Sequence, residues 1–458
     1  MRKTCVIMAL AACLWACVPS SKEPSVSEDP SAEAPVSVDP VSDDPSADIP
    51  ESEDPSADVP ASEEPAEPYA LSLDNEKLMA WLLANADADG DGVVMSTEAD
   101  LIREMVLWKW GSDGSMTGLN FTSLDGLEEL RNLEKLDARF NLLESVDLGK
   151  CLSLKELNIS NNNISKVLSL PSSLEVLDCS HNLISALSLG GLASLRSLDC
   201  GENRLTALVP TFCKSLEYLA IYSNELTGVP VPEGVKELYC YGNNIHALEL
   251  PAGLEVLNCC YNELRTLDLS GCASLRSLYC SGNALESLDA TAAKSLQSLS
   301  CDKNGMRSLK ISGLGSLRYL ECWNNLLTSL DASSLTSLEV IGAGMNSLTS
   351  IDVSGCSSLM SLYCYSNNLT ALNLSSNKAL TNLYCYDNSL TSIDLSANTN
   401  LRGLRISDNA LTSLDLSAQT RLEMMYCTGN SGLGTVYTPS AGTGKYWYKD
   451  SSTKYSKK

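Results

Sequence analysis

The chain has 458 residues, and 57 acidic against 32 basic side chains give it a formal net charge of -25. That balance argues against nucleic acid as a partner, since phosphate binding needs basic stripes and the few Lys and Arg here are scattered. The length suits either two to four ordinary domains or one long repeat array.

Arg2 and Lys3 precede the apolar run TCVIMALAACLWAC. This is the charged start and short apolar middle of an export signal, too short for a permanent span. A cysteine after a small residue at the end of such a run resembles the lipobox of bacterial lipoproteins, in which that cysteine is lipidated and becomes the first residue. Two frames compete: LWAC, ending at Cys17, has the longer apolar run, and LAAC, ending at Cys13, has the more typical small residues. Cys17 is preferred. The resemblance implies a signal peptide over 1–16 and a chain held at the bacterial outer membrane and cell surface through the lipid alone.

Residues 17–68 hold the anchor and a degenerate ten-residue unit of Ser, Pro, Ala and acid, as in SDDPSADIPE and SEDPSADVPA. With little apolar surface to bury and like charges in series, this stretch is expected to be an extended, disordered stalk. Acidic residues soon after the cysteine also resemble surface-export signals of some Gram-negative lipoproteins.

Residues 69–118 are expected to form a small helical module and N-terminal cap. At its centre DADGDGVVMSTE, Asp87 to Glu98, fits the EF-hand calcium-loop pattern D-x-D-x-D-G-x5-E without a gap. A hard cation taking six to eight oxygens would draw carboxylates from Asp87, Asp89 and Asp91, the backbone carbonyl of Val93 and a bidentate carboxylate from Glu98, with Gly92 at the sharp turn. Val94 is expected to point inward. Met95 offers no side-chain oxygen, which leaves its place to water. One loop without a second suggests a structural calcium site rather than a sensor.

From Leu133 a unit recurs, LEKLDARFNLL, LKELNISNNNI, LEVLDCSHNLI and onward to LEMMYCTGNSGL. The period is 21 residues, shortened in a few turns. In LYCY, 362–365, the alternation at period two marks a strand with Leu362 and Cys364 inward and Tyr363 and Tyr365 outward. The pattern L-x-x-L-x-C-x-x-N-x-L resembles the leucine-rich repeat family, and its short period and cysteine column look most like internalin-type cysteine-ladder arrays. The resemblance implies an α/β solenoid, a right-handed superhelix with a parallel concave β-sheet, of about 15 repeats over 119–433. Residues 434–458 then form a C-terminal cap.

The inward column includes Cys280, Cys301, Cys322, Cys364 and Cys385. Ala138, Ile159, Ile221, Ala343 and Ile406 stand in where it breaks, so the place asks only for a small or medium apolar group. Free thiols are expected, because a disulfide needs Cβ atoms closer than parallel strands hold them. A second set, Cys151, Cys213, Cys272 and Cys356, is placed inside the convex wall. Cys260 falls at an outward position, where a reactive surface thiol is expected. The asparagine column, including Asn141, Asn203, Asn283 and Asn367, is read as a structural ladder that satisfies backbone groups between repeats.

The outward strand positions form the candidate ligand face: Tyr239, Tyr241, Tyr279, Trp323, Tyr363, Tyr365, Tyr384 and Tyr386, with Tyr218, Tyr222, Tyr261, Tyr319 and Tyr426 in the same set. Tyrosine combines rigid contact area with a hydroxyl, although it also simply favours strands. Catalysis is not expected. The only histidines, His181 and His246, lie at different places in the repeat, and no zinc or phosphate-loop spacing is present. The leading expectation is a monomeric lipid-anchored surface protein that binds an extracellular protein. A glycan ligand is the alternative, and an envelope component without soluble ligand the second.

Overall fold

The computed structural model describes residues 67–439 and 446–458. The signal peptide, Cys13, Cys17 and the stalk up to residue 66 lie outside the described residues.

Each repeat places three residues in a strand, as in Ser361–Tyr363, and the chain returns along the opposite wall to lay the next strand beside it in parallel. Seventeen strands join in this way, from Glu104–Val106 (β1) to Tyr446–Tyr448. At about 4.8 Å per spacing the concave sheet is roughly 77 Å long. The central residue of each strand but the last, such as Leu278, Leu299 or Leu362, points inward and is fully buried, and Trp447 of the last is partly buried. The leucines of successive coils stack into one continuous core.

The convex wall is built from turns and short strand pairs, such as Ser329–Asp331 with Ser350–Asp352. Among the described residues the helical turns of the array are two 3-10 turns, Leu127–Glu129 and Pro210–Phe212. A 21-residue repeat leaves too few residues for a helix on the return. The α-helical part of the solenoid is therefore small, an α-helix at Glu76–Asn85 (α1) and one turn at Ser96–Ala99 (α2). Among the described residues no helix is long and apolar enough to cross a membrane.

Both ends differ from the expected boundaries. The sheet begins earlier than the repeat pattern: β1 pairs in register with Lys135–Asp137, and Trp108–Trp110 (β2) forms a hairpin with Met116–Gly118 (β3). The helix that follows the calcium-type loop is thus only the single turn α2, because the chain must extend at once into the first coil. At the other end Tyr446–Tyr448 and Lys454–Lys457 continue both walls for one further coil. Helix α1 covers the first coil, with Leu78 and Leu82 fully buried in the same core as Leu107 and Leu127. Asn75 caps α1 by accepting from Leu78 N–H at 3.1 Å, and its amide donates to the carbonyls of Ser123 and Asp125.

Candidate functional site: the concave face and the calcium-type loop

The ladder behind the concave face repeats one set of bonds. Asn283 Oδ1 accepts from Leu264 N–H at 3.0 Å, and its Nδ2 donates to the carbonyls of Cys259 and Cys280, both at 3.0 Å. Asn141, Asn203 and Asn367 do the same in their coils. The residue before each ladder asparagine is left-handed, twelve times a non-glycine residue from Phe140 (φ 59°) to Asp408 (φ 52°), and three times Gly242, Gly282 or Gly429. The asparagine holds the chain where it turns sharply off the strand.

All fifteen cysteines from Cys151 to Cys427 are free and buried. Burial pushes the Cys364 thiol up to about 12 and Cys427 up to about 11, so they remain protonated and unreactive. Cys260 corrects the expectation of an exposed thiol: it is only 6 % exposed, because the residues flanking it across the register are Tyr241 and Ser281 of the adjoining coils. Tyr261 is also displaced from the expected strand set. It occupies the left-handed turn (φ 52°) before Asn262.

The other aromatic residues of the set stand on the concave face, and most of them pack against one another along the solenoid. Tyr222 and Tyr241 stack with ring centroids 4.8 Å apart, Tyr365 and Tyr386 at 4.7 Å, and Tyr426 and Tyr448 at 4.6 Å. Tyr218 meets Tyr239 at 5.5 Å, and Tyr363 meets Tyr384 edge-on at 5.1 Å. Between Trp323 and the Tyr363 strand lies a coil with Gly342 and Gly344. A Cβ at Gly342 would stand 3.0 Å from the Trp323 ring, and one at Gly344 2.8 Å from that of Tyr365. The two glycines let those rings lie over the backbone and meet at 6.1 Å. Arg405 extends the band, 4.9 Å from the Tyr384 ring and 5.0 Å from that of Tyr426.

In the calcium-type loop, Asp87, Asp89 and Asp91 each offer a carboxylate oxygen within 4.8 Å of the others. The carboxylates also shape the loop: Asp87 accepts from Gly90 and Gly92 N–H, Asp89 from Asp91 N–H and Asp91 from Val93 N–H. Glu98 lies apart from that triad, clasping Ala88 N–H at 2.8 Å and Met95 N–H at 2.9 Å. Val94 is buried, and its carbonyl accepts from Leu71 N–H, while Ser96 N–H donates to Tyr69 O. Residues 69–71 thereby form an antiparallel bridge to the loop, which braces it without a second loop.

A leucine-rich-repeat family model (Leucine Rich Repeat) matches residues 153–172. The functional domain of InlJ from Listeria monocytogenes, described as including a cysteine ladder, is 25% identical with a TM-score of 0.61 over 76% of this chain and 70% of that one. YopM from Yersinia pestis is 24% identical with a TM-score of 0.59 over 77% and 93%. None of the curated proteins matches this chain. The fold is a leucine-rich-repeat solenoid.

On this leucine-rich-repeat sheet three groups escaped the sequence reading. Outward carboxylates Asp178, Asp199, Asp302 and Glu321 lie between the aromatic groups; listing the outward residue of every coil, not only the aromatic ones, reveals them. The residue before each strand alternates in sign through Glu134, Lys155, Glu175, Arg196, Glu217, Lys236, Glu255 and Arg276, with ion pairs such as Lys155–Glu134 at 2.8 Å and Lys236–Glu217 at 2.7 Å. In the convex wall the cysteine column gives way to Asn377, Asn398 and Gln419, whose amides donate to carbonyls of the preceding coil or coils, Asn377 to Val353 O at 3.0 Å. The sequence pattern that marked Cys356 ten residues after Asn346 marks these three as well. The two histidines each face a glutamate of the next coil, His181 Nδ1 at 2.9 Å from Glu202 and His246 Nδ1 at 3.4 Å from Glu263.

Proposed function

We propose that the chain is a cell-surface binding protein, lipid-anchored through Cys17 and raised on its stalk, whose concave face docks an extracellular protein. The observation that carries this reading is the aromatic band from Trp323 to Tyr448, together with its mode of stacking. Sugar rings bind aromatic side chains face to face, yet the faces of Tyr365 and Tyr386, and of Tyr426 and Tyr448, lie against each other. Each stack takes one face of both rings and turns their edges and hydroxyls outward, the contact surface that protein partners use. That favours a protein over a glycan.

The test is surface plasmon resonance of the chain against extracellular proteins and purified polysaccharides, beside a variant with Tyr363, Tyr365, Tyr384 and Tyr386 changed to alanine. A protein that binds wild type and loses at least about tenfold in affinity for the variant supports the reading. Binding only to polysaccharide transfers the face to a glycan, and silence from the whole panel transfers the protein to an envelope role.

The acidic loop is proposed to hold a structural calcium ion through Asp87, Asp89, Asp91, the Val93 carbonyl and Glu98. The convergence of three carboxylate oxygens, in a loop braced by residues 69–71, supports it. Bound there, the ion would neutralise the three aspartates and stiffen the cap over the first coil. Calcium is expected to raise the melting temperature of wild type and leave the Asp87→Ala, Glu98→Ala variant unchanged. An unchanged wild type on adding chelator would remove the ion from the account.

A further inference from the structure

The middle of the concave sheet carries an excess of acid. Across the eight strands from Val176–Asp178 to Tyr319–Glu321 and the outward residue after each, the face carries Asp178, Asp199, Glu237, Asp302 and Glu321, and no lysine, arginine or histidine. The cations at either end of the sheet are already engaged. Arg139 pairs with Asp137 at 2.7 Å, Lys135 with Glu156 at 3.1 Å, and Arg405 lies between two tyrosine rings. Of those before the strands, Lys155, Lys236 and Arg276 pair along the coil edge.

Four of the carboxylates form two pairs. Asp178 and Asp199 are direct neighbours in register. Asp178 is well supplied with donors, Asn158 Nδ2 at 2.9 Å and Ser180 Oγ at 2.6 Å, whereas Asp199 accepts from Gly201 N–H at 3.0 Å. Ala220 faces Asp199 across the register, and the Tyr222 ring lies over Gly201. In the second pair Ser300 Oγ stands between the carboxylates, 3.2 Å from Asp302 Oδ2 and 3.5 Å from Glu321 Oε2, and Ser281 Oγ adds a bond to Asp302 at 2.9 Å. Asp302 Oδ1 is buried and meets no donor among the described residues. Lys303, the next residue, lies over the Tyr261 ring at 6.0 Å. Burial raises Asp199, Asp302 and Glu321 above the usual carboxylate range. Desolvated carboxylates held side by side are unfavourable unless a cation joins them.

The geometry points to a docking track for a basic, extended polypeptide segment, whose lysine or arginine side chains sit at Asp178/Asp199 and at Asp302/Glu321. This rests on the concave-face reading and adds the chemistry of the partner. A guanidinium would meet two carboxylates at each place, with Tyr222 or Trp323 alongside to take its flat face. The pairs lie six strand spacings apart, roughly 29 Å, which an extended segment spans with about nine residues.

The test uses the full chain and a synthetic Gly/Ser peptide carrying two arginines about nine residues apart, with a matched peptide carrying two citrullines. The arginine peptide is expected to bind, more weakly as salt rises, and the citrulline peptide not to. Asp178→Asn with Asp199→Asn, and Asp302→Asn with Glu321→Gln, are each expected to weaken binding about tenfold or more. Glu144→Gln with Glu286→Gln, the same charge change at exposed sites off this face, is expected to leave it intact. Melting temperatures of the amide variants check that the fold persists. Three results overturn the proposal: no binding by wild type, equal binding by the four-amide variant, or displacement by calcium that depends on the same four residues, which would assign the pairs to a divalent cation. The four-tyrosine variant should retain the peptide, so failure here and failure of the aromatic band are separate outcomes.

Discussion

Each strand of the concave sheet has an inward and an outward side, and the two obey different rules. Inward, the fifteen repeats carry a central leucine, replaced only by Ile341 and Met425, then a small apolar group and asparagine, and where cysteine is absent only alanine or isoleucine replaces it. Outward, the same strands carry carboxylates from Asp178 to Glu321 and stacked rings from Trp323 to Tyr448, with no single residue type repeated through every coil. The inward side is constrained because each asparagine satisfies backbone groups of two coils at once. The outward side leaves the coil geometry unchanged whatever it carries, so it is free to be shaped by a partner. Inward changes should therefore damage stability, and outward changes should damage binding or even raise stability.

The largest contrast is in thiol chemistry. Native protein is expected to expose none of the cysteines from Cys151 to Cys427 to a maleimide, and denatured, unreduced protein to expose all fifteen. Mass spectrometry counts the adducts. Rapid labelling of Cys260 in the native state would contradict its burial.

Next comes the ladder. Asn283→Ala leaves the Leu264 N–H without its acceptor and removes one donor each from the Cys259 and Cys280 carbonyls, which keep Asn262 and Asn304, and is expected to cost about 1 to 3 kcal/mol. A neutral result in denaturant unfolding would show that water reaches these groups.

Asp199 gives the opposite sign. Burial raises its pKa from the ordinary 3.8 to about 6, so the native state holds the proton more tightly than the unfolded chain. That contribution to stability is fully present below the unfolded value and is lost as pH rises through about 6. Asp199→Asn removes the loss and can donate to Asp178 as Asn158 does at 2.9 Å. The variant is expected to be more stable than wild type by about 1 to 3 kcal/mol at neutral pH, with the gap closing toward pH 4. A gap independent of pH would point away from ionisation.

The same contrast explains what was legible in the sequence. The inward side was readable because one chemical demand recurs fifteen times, which fixed the strand direction of Leu362 and Cys364 and the ladder role of Asn283. Local pairing at the ends was not: β1 joins the sheet through Glu104, Met105 and Val106, which lack the repeat's cysteine and asparagine. Cys260 was misplaced because an outward position was equated with exposure, although rows of neighbouring side chains can cover it. The carboxylate pairs were visible as residues but not as a site, since Asp302 and Glu321 are two positions apart in the repeat frame. Only Ser300 between them brings out the relation.

The smallest effect lies at the turn between the two sides. Met345 takes a left-handed conformation at φ 55° and is 51 % exposed, so little packing depends on its side chain. A non-glycine residue there costs roughly 1 to 2 kcal/mol in local geometry, while glycine adds unfolded-state entropy of about 0.5 to 1 kcal/mol. Met345→Gly is therefore expected to stabilise by about 0.5 kcal/mol, read as a small upward shift of the denaturation midpoint. The same change at Ser361, inside a strand, brings the entropy without the relief and should lower the midpoint. If Met345→Gly also lowers it, the left-handed turn is held by its side chain rather than tolerated by it, and the inward ladder would no longer be the only feature fixing where each strand ends.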